Sequence, residues 1–177
     1  MELAYVAGLF DGEGCIRVDE FHIDAGEHRP KAYFRQQLKV SVGMAHYPTI
    51  RALYDQFGGF ISKDTSANRR NPNHAIRYSW GSWSEYASTF LKQIEPFLIG
   101  KKEQAQLAIR FQQHIRDCGP IFHKYHGVPP NLKKIRAYRA KLIAKMLRHK
   151  SGRFDIPKHL LKSPRRKWPY VTRLCGE

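Results

Sequence analysis

The sequence is poor in acidic residues and in long apolar segments. Only 15 Asp and Glu residues stand against 31 Lys and Arg, which gives a formal net charge of +16 and a pI of about 10.0. A charge of this size favours nucleic acid or an anionic membrane as partner. No stretch approaches the roughly 18 consecutive apolar residues that a membrane-spanning helix needs. We therefore expect nucleic acid, and neither a membrane nor a small-molecule substrate.

Cysteine is scarce as well. The chain has three scattered cysteines, Cys15, Cys118 and Cys175, and an odd number cannot form a complete disulfide framework. This predicts reduced thiols in an intracellular, reducing compartment. The sequence leaves open whether that setting is organellar, archaeal, bacterial or phage-encoded.

The start of the chain is its most informative segment. An apolar helical pattern from Glu2 to about Phe10 runs into the string Asp11-Gly12-Glu13-Gly14, and strand-like alternation follows from Cys15. Two carboxylates beside glycine at a helix end are well placed to hold a hard cation through oxygen. A metal site in so basic a chain predicts chemistry on a polyanion.

Periodicity predicts alternating helices and strands as far as Asp117. Strands are expected at Cys15–Ile23, Tyr33–Met44, Phe60–Lys63 and Ala75–Gly81. Further helices are expected at Ile50–Phe57, Ser84–Gln93 and Lys101–Asp117. The strands alternate one apolar with one polar face, so we expect an antiparallel sheet with helices on its apolar side.

A basic tail follows Gly119. Asn131 is expected to cap a helix that runs to about Lys150, and no acid occurs between Asp117 and Asp155. Its apolar stripe comprises Leu132, Ile135, Tyr138, Leu142 and Met146. The basic residues around that stripe are Lys133, Lys134, Arg136, Arg139, Lys141, Lys145, Arg148 and Lys150. One face of this helix could pack while the other meets phosphate.

The string Val6-Ala7-Gly8-Leu9-Phe10-Asp11-Gly12-Glu13-Gly14 resembles the signature of the LAGLIDADG homing endonucleases. Val6 stands where Leu is usual, and Glu13 where the second Asp is usual. The resemblance implies an α+β fold with the element order αββαββα and an antiparallel sheet over residues 1–118. Residues 119–177 would form a basic helical C-terminal extension.

The same resemblance implies a site-specific, double-strand DNA endonuclease that hydrolyses phosphodiester bonds. Glu13, with the Gly12 carbonyl, would hold Mg²⁺ or Mn²⁺, and Ca²⁺ would be a non-cleaving substitute. Only one copy of the motif is present, so a homodimer acting on a pseudo-palindromic site is expected. Small residues four apart let two helices approach closely. The expected dimer-interface residues are Ala7, Gly8, Asp11 and Gly12.

Two further residues are candidates for catalysis. Lys101 follows Gly100 in a segment that resembles the family's catalytic-lysine segment, where a cation stabilises developing charge, and the neighbouring Lys102 is the alternative. His46 follows the second strand, where it could position water or accept a proton.

The polar face of the sheet is expected to read DNA in the major groove, because a β-ribbon fits that groove. The candidate DNA-binding residues are Arg17, Asp19, Arg35, Gln37, Lys39, Ser41, Lys63, Arg69, Arg70, Arg77, Ser79, Lys133 and Arg136.

Three alternatives stay open at this point. The same scaffold could serve as an RNA maturase that aids intron splicing, or as a non-catalytic DNA-binding regulator. His114, Cys118, His123 and His126 could instead form a structural zinc site, although their spacing is not that of a standard zinc finger. Among the family, a free-standing chain with one motif fits an intron-encoded enzyme better than an intein.

Overall fold

Helices and strands alternate along the chain as the sequence predicts. The structure is a computed structural model and describes residues 1–23, 33–65, 73, 75–119 and 131–150. Its helices are α1 (Leu3–Glu13), α2 (Tyr47–Phe57), α3 (Ser84–Ile94), α4 (Lys102–Cys118) and α5 (Leu132–Lys150). Its strands are β1 (Gly14–Ile23), β2 (Tyr33–Met44), β3 (Phe60–Asp64) and β4 (Arg77–Trp83). A short 3₁₀ helix, Glu95–Phe97, follows α3.

The strands form one antiparallel sheet in the order β1-β2-β4-β3. Ile16 lies opposite Val40, and Val42 lies opposite Trp80. These four side chains are buried with residues of the helices, whereas the residues that alternate with them lie on the other, outer face. The prediction of a sheet with one face on the core is confirmed. None of the helices in the described ranges is long and apolar enough to cross a membrane.

The sequence-based placement of Lys63 on the polar face is wrong. In the pairing of β3 with β4, Lys63 lies opposite Tyr78, so the two side chains share the inner, helix-side face. Phe60 and Ser62 stand on the outer face instead, opposite Gly81 and Ser79. The face that a strand residue occupies depends on the pairing register, since one residue of shift moves every side chain to the other face.

α1 ends one turn later than predicted, because Asp11, Gly12 and Glu13 are still helical. Gly12 does not stop the helix, since an interior glycine costs only about 1 kcal/mol relative to alanine. Gly14 marks the end: its N–H donates to the Phe10 carbonyl, and a Cβ there would collide with that oxygen and lie 2.5 Å from the Phe10 ring. The close approach of Gly14 to Phe10 therefore requires glycine where α1 passes into β1.

α5 packs along α4 and shares the core of the sheet. Leu142 and Met146 belong to the same buried cluster as the inner-face strand residues, and Ile135 is buried too. The predicted apolar stripe is confirmed for these three residues, whereas Tyr138 is 45% exposed. The division into a core of 1–118 and an extension of 119–177 stays a prediction. Residues 120–130 and 151–177 lie outside the described part of the chain.

Arg139 does not belong to the solvated basic face of α5, which corrects the prediction. Its side chain is 1% exposed. The guanidinium donates to His114 Nδ1 at 3.2 Å and to the carbonyls of His114 at 3.4 Å and Gly119 at 2.7 Å. These acceptors lie at the C-terminal end of α4, where the helix dipole favours a cation. Burial lowers the pKa of Arg139, and burial together with the Arg139 charge lowers the pKa of His114.

Gly14→Ala tests the passage from α1 to β1. We expect a loss of roughly 1–3 kcal/mol in the free energy of unfolding, because the added methyl cannot be accommodated against backbone. Gly100→Ala is the matched control: a Cβ there would meet Asp11 at an ordinary 3.7 Å. Urea unfolding of both variants makes the comparison. Equal stability of the two would contradict this account of Gly14.

Candidate active site and nucleic-acid interface

The Asp11 carboxylate joins the end of α1 to the start of α4. Its Oδ2 accepts the backbone N–H groups of Ile99 at 2.7 Å and Gly100 at 3.1 Å, and its Oδ1 accepts that of Lys101 at 2.8 Å. These donors immediately precede α4, and backbone N–H groups at a helix N-terminus favour an anion. Asp11 is therefore a structural residue within the protomer, and its carboxylate is occupied by three donors.

Lys101 returns the contact in the opposite direction. Its ammonium donates to the backbone carbonyl of Asp11, in the last turn of α1. A cation is favourable there, because the C-terminal carbonyls of a helix carry partial negative charge. The structure thus brings Lys101 to the acidic end of α1, although the two segments are far apart in sequence.

Glu13 is the last residue of α1, and it is exposed. Within the part of the chain that the structure describes, no hydrogen bond or ion pair engages its carboxylate. A helix leaves its last four carbonyls without intrahelical partners. Phe10 and Asp11 receive theirs from Gly14 and Lys101. The carbonyls of Gly12 and Glu13 belong to the same helix end, so this end of α1 carries oxygen donors of the type that hard cations prefer.

The described residues of one protomer offer few side-chain ligands for a metal at any one place. Among the described residues, no group of three or more His, Cys, Asp or Glu side chains is arranged to hold a metal ion. One contact argues against the zinc alternative: Arg139 donates to His114 Nδ1. In the neutral ring this leaves the proton on Nε2, the nitrogen that lies 3.5 Å from Cys118 Sγ. His123 and His126 lie outside the described residues.

The small-residue face of α1 is open. Gly8 and Gly12 are exposed, and a Cβ added at either would meet no atom of the described residues within 4 Å. Around this face lie exposed apolar side chains, Tyr5 at 57% and Ile99 at 91%. Ala7 differs from the prediction: its side chain is 0% exposed and packs in the core of its own protomer, so it cannot contact a partner. Position 7 faces inward because it adjoins Val6 and Phe10 on the buried stripe of α1.

His46 is exposed and precedes the first residue of α2. Its Nδ1 lies 2.8 Å from Thr49 Oγ1, in the first turn of that helix. This contact orients the ring locally. A catalytic role for His46 stays a prediction.

The outer face of the sheet carries most of the predicted DNA-binding residues in one array. The pairing register places Arg17 opposite Lys39, Asp19 opposite Gln37, and Gly43 opposite Ser79. The predicted residues on this face are Arg17, Asp19, Arg35, Gln37, Lys39, Ser41, Arg77 and Ser79. Lys133 and Arg136 are exposed on α5, and Arg69 and Arg70 lie outside the described residues.

Several members of this array have partners within the chain. Arg17 Nε and Asp19 Oδ1 form an exposed ion pair at 2.8 Å. The Gln37 side-chain amide donates to Ser84 Oγ at 3.0 Å. These contacts hold the polar side chains in fixed positions on the face, which suits recognition better than free rotation does.

Comparison with solved structures identifies the fold. An archaeal intron-encoded homing endonuclease, I-Vdi141I, complexed with DNA, has a TM-score of 0.61 at 17% identity, over 90% of this chain and 91% of that one. The homing endonuclease I-CvuI, in complex with its target in the presence of Ca, has a TM-score of 0.57 at 18% identity, over 88% and 83%. The LAGLIDADG homing endonuclease I-GzeII, in complex with a DNA target, has a TM-score of 0.57 at 13% identity, over 82% and 45%.

This chain has the LAGLIDADG homing endonuclease fold. No protein-family model and no curated protein matches the sequence. At identities of 18% or less, the likeness establishes the fold and leaves the activity to the site. The resemblance inferred from the first helix is confirmed at that level.

Sequence reasoning missed three aromatic residues on the outer face of this LAGLIDADG fold. Phe21 is 40% exposed and lies opposite Arg35; Trp83 is 45% exposed and lies opposite Lys39; Phe60 lies opposite Gly81. The sequence could have indicated Trp83, because the two-residue alternation that places Arg77 and Ser79 on the polar face continues through Gly81 to Trp83. The predicted strand ended at Gly81, which is why Trp83 was overlooked.

Two acidic residues of the motif provide a test of the site's construction. We expect Asp11→Ala to lower the free energy of unfolding by about 2–3 kcal/mol, because three backbone donors lose a charged acceptor. Glu13→Ala should change it by no more than about 0.5 kcal/mol, since an exposed side chain without a partner is removed. Urea unfolding in EDTA measures both. A larger loss for Glu13→Ala than for Asp11→Ala would reverse the two roles.

Proposed function

We propose that this protein is a homodimeric, divalent-metal-dependent endonuclease that cuts double-stranded DNA at a specific pseudo-palindromic site. The observation that carries this proposal is the contact of Lys101 with the Asp11 carbonyl in the last turn of α1, two residues before the exposed Glu13. A protein that only binds DNA needs no ammonium held at the helix end that also carries an unpartnered carboxylate. The solved structures of this fold support DNA as the substrate, because I-Vdi141I, I-CvuI and I-GzeII are complexes with DNA.

A second copy of the chain would complete the active site. This chain spans 45% of the length of I-GzeII, which is consistent with one chain supplying half of a pseudo-symmetric enzyme. The open face of Gly8 and Gly12 is where two α1 helices could approach closely, because no neighbour among the described residues requires glycine at these positions. Pairing about a two-fold axis would bring the two Glu13 side chains together.

The donor set at this helix end fits a hard divalent cation such as Mg²⁺. The Glu13 carboxylate and the Gly12 carbonyl offer oxygen ligands, and the scissile phosphate and water would supply the rest. Two adjacent carboxylates repel each other, which favours a cation near both. The I-CvuI complexes were crystallised in the presence of Ca or Mg, which is consistent with the use of divalent metal in this fold. When bound, the metal would activate water and stabilise the leaving oxygen.

The chain's own residues would position the substrate and balance its charge. The Lys101 ammonium, held by the Asp11 carbonyl, lies where it could offset negative charge that develops on the scissile phosphate. Asp11 holds Lys101 and the end of α1 in register through three backbone donors. His46 is the candidate to position water or accept a proton. The basic outer face of the sheet would bind the duplex, with net charge +16 favouring association.

An RNA maturase is the second candidate function, and the basic exposed face of α5 is the feature that favours it. Lys133, Lys134, Lys141 and Lys145 are all exposed on this helix. Such a face could bind the phosphates of either nucleic acid, since backbone contacts carry no sequence information. The cleavage assay below separates the two functions.

Glu13→Gln tests the proposed reaction. We expect its Mg²⁺-dependent cleavage of the DNA that flanks its own gene to fall by at least about a hundredfold, with DNA affinity retained. The substitution removes a charged ligand and keeps the size of the side chain. Glu2→Gln, at the exposed other end of α1, is the matched control and should cleave normally. Full activity in Glu13→Gln would remove this residue from the metal site.

Gly8→Leu tests the proposed dimer. The protomer should fold normally, because a Cβ at position 8 meets nothing within 4 Å. The dimer should dissociate at least about tenfold more readily, since a bulky side chain holds the two helices apart. Sedimentation velocity over a range of concentrations measures this, and Ala144→Leu, exposed on α5, is the control. A variant that dimerises as tightly as the wild type would place the interface elsewhere.

A further inference from the structure

We propose that Trp83 and Phe60 form an apolar reading element on the outer face of the sheet, which contacts the C5-methyl group of thymine in the major groove of the target. This inference rests on the proposed function and deepens it, because it assigns sequence preference to residues that the polar pattern of the strands did not indicate. The two residues come from β4 and β3, at the edge of the sheet.

The pairing register places the two rings together on the outer face. Trp83 lies opposite Lys39, and Phe60 lies opposite Gly81. The ring centroids are 4.8 Å apart and the ring planes make an angle of 31°. Lys39 lies between Trp83 of β4 and Arg17 of β1 on this face. The aromatic pair therefore continues the array of polar residues.

Gly81 allows the pair to lie flat on the sheet. A Cβ at that position would stand 2.6 Å from Phe60 Cζ, so a side chain there would lift the Phe60 ring off the strand. Phe60 is consequently half-buried, while Trp83 is 45% exposed. A tryptophan packed only for stability would be covered, as Trp80 in the same strand is at 0% exposure.

The backbone after Trp83 fixes its direction. Ser84 has a φ of 53°, the only positive φ of a non-glycine residue in the described ranges. A serine in this conformation costs of order 1 kcal/mol or more and persists only where neighbours hold it. Gln37 is such a neighbour, since its amide donates to Ser84 Oγ at 3.0 Å. The strand pairing sets the outward orientation of Trp83, and the held conformation of Ser84 fixes the turn that follows it into α3.

Positive charge flanks the aromatic pair. Lys39 Nζ lies 5.2 Å from the centroid of the Phe60 ring, over its face. In the major groove, apolar side chains contact the thymine methyl while Lys and Arg contact guanine or phosphate. An exposed apolar surface bordered by cations fits a thymine edge within a duplex. Because one ring packs on the other, the pair offers an apolar ridge and not the two open faces between which a free base would stack.

The experiment uses a randomised duplex library, selected by binding to the full-length protein in the presence of Ca²⁺. Wild type and Trp83→Ala are selected in parallel. We expect a thymine required by the wild type at one position of each half-site to be lost in the variant, with preferences at other positions unchanged. Tyr86→Ala is the matched control, because Tyr86 is 73% exposed on α3, away from the sheet face.

A chemical substitution in the DNA then tests the methyl group directly. Replacing that thymine with deoxyuridine removes only the methyl, so the wild-type affinity should fall by about fourfold, as expected for one buried methyl group. Trp83→Ala should bind both duplexes equally, and Trp83→Phe should keep part of the discrimination. The deoxyuridine duplex needs no protein variant, so misfolding of Trp83→Ala cannot hide the result.

The outcomes separate this inference from the proposed function. A wild type that selects a specific duplex but is indifferent to deoxyuridine at every thymine overturns the aromatic reading and leaves the nuclease intact. A wild type that selects no duplex overturns both. Loss of affinity in Trp83→Ala for the separated single strands, larger than for the duplex, would assign the pair to base stacking and refute contact with a methyl group.

Discussion

The reciprocal contact between Asp11 and Lys101 is the constraint on which the candidate site depends. The Asp11 carboxylate accepts three backbone donors ahead of α4, and the Lys101 ammonium returns to the Asp11 carbonyl. The negative carboxylate meets the positive N-terminal end of α4, and the positive ammonium meets the negative C-terminal end of α1. These two contacts hold the helix ends together. The position of Glu13 relative to the lysine follows from this joint.

The sheet divides the molecule into a packed side and an open, polar side. The helices cover the inner face, where the buried strand residues form one core with side chains from each of the five described helices. α5 contributes its apolar stripe to this core and leaves its basic face exposed. The outer face retains a grid of cations, polar side chains and aromatic rings whose spacing is set by the strands. A rigid, charged grid is suited to the regular surface of a duplex, because positions on strands are held more precisely than those on loops.

The open face of α1 explains why the protomer by itself is an incomplete enzyme in our proposal. Gly8 and Gly12 weaken an isolated helix, and within the described parts of the chain no close neighbour requires glycine at either position. Their value would come from a partner helix, which also brings the second Glu13. Folding, dimerisation and catalysis would then draw on three different faces of one short helix: Phe10 inward, the glycines toward the partner, and Glu13 toward the substrate.

The order of helices and strands, the one-sided sheet and the resemblance to the LAGLIDADG fold were all readable from the sequence, because periodicity and a short motif are local properties of the chain. Glu13 and Lys101 could be proposed as candidates for the same reason. Only the tertiary structure decided that the Asp11 carboxylate accepts three backbone N–H groups and that Ala7 and Arg139 are buried. It also decided that Lys63 lies on the inner face of the sheet and Trp83 on the outer face. Each of these depends on which strand register or which helix end meets a residue from a distant part of the chain, and no local pattern encodes that meeting.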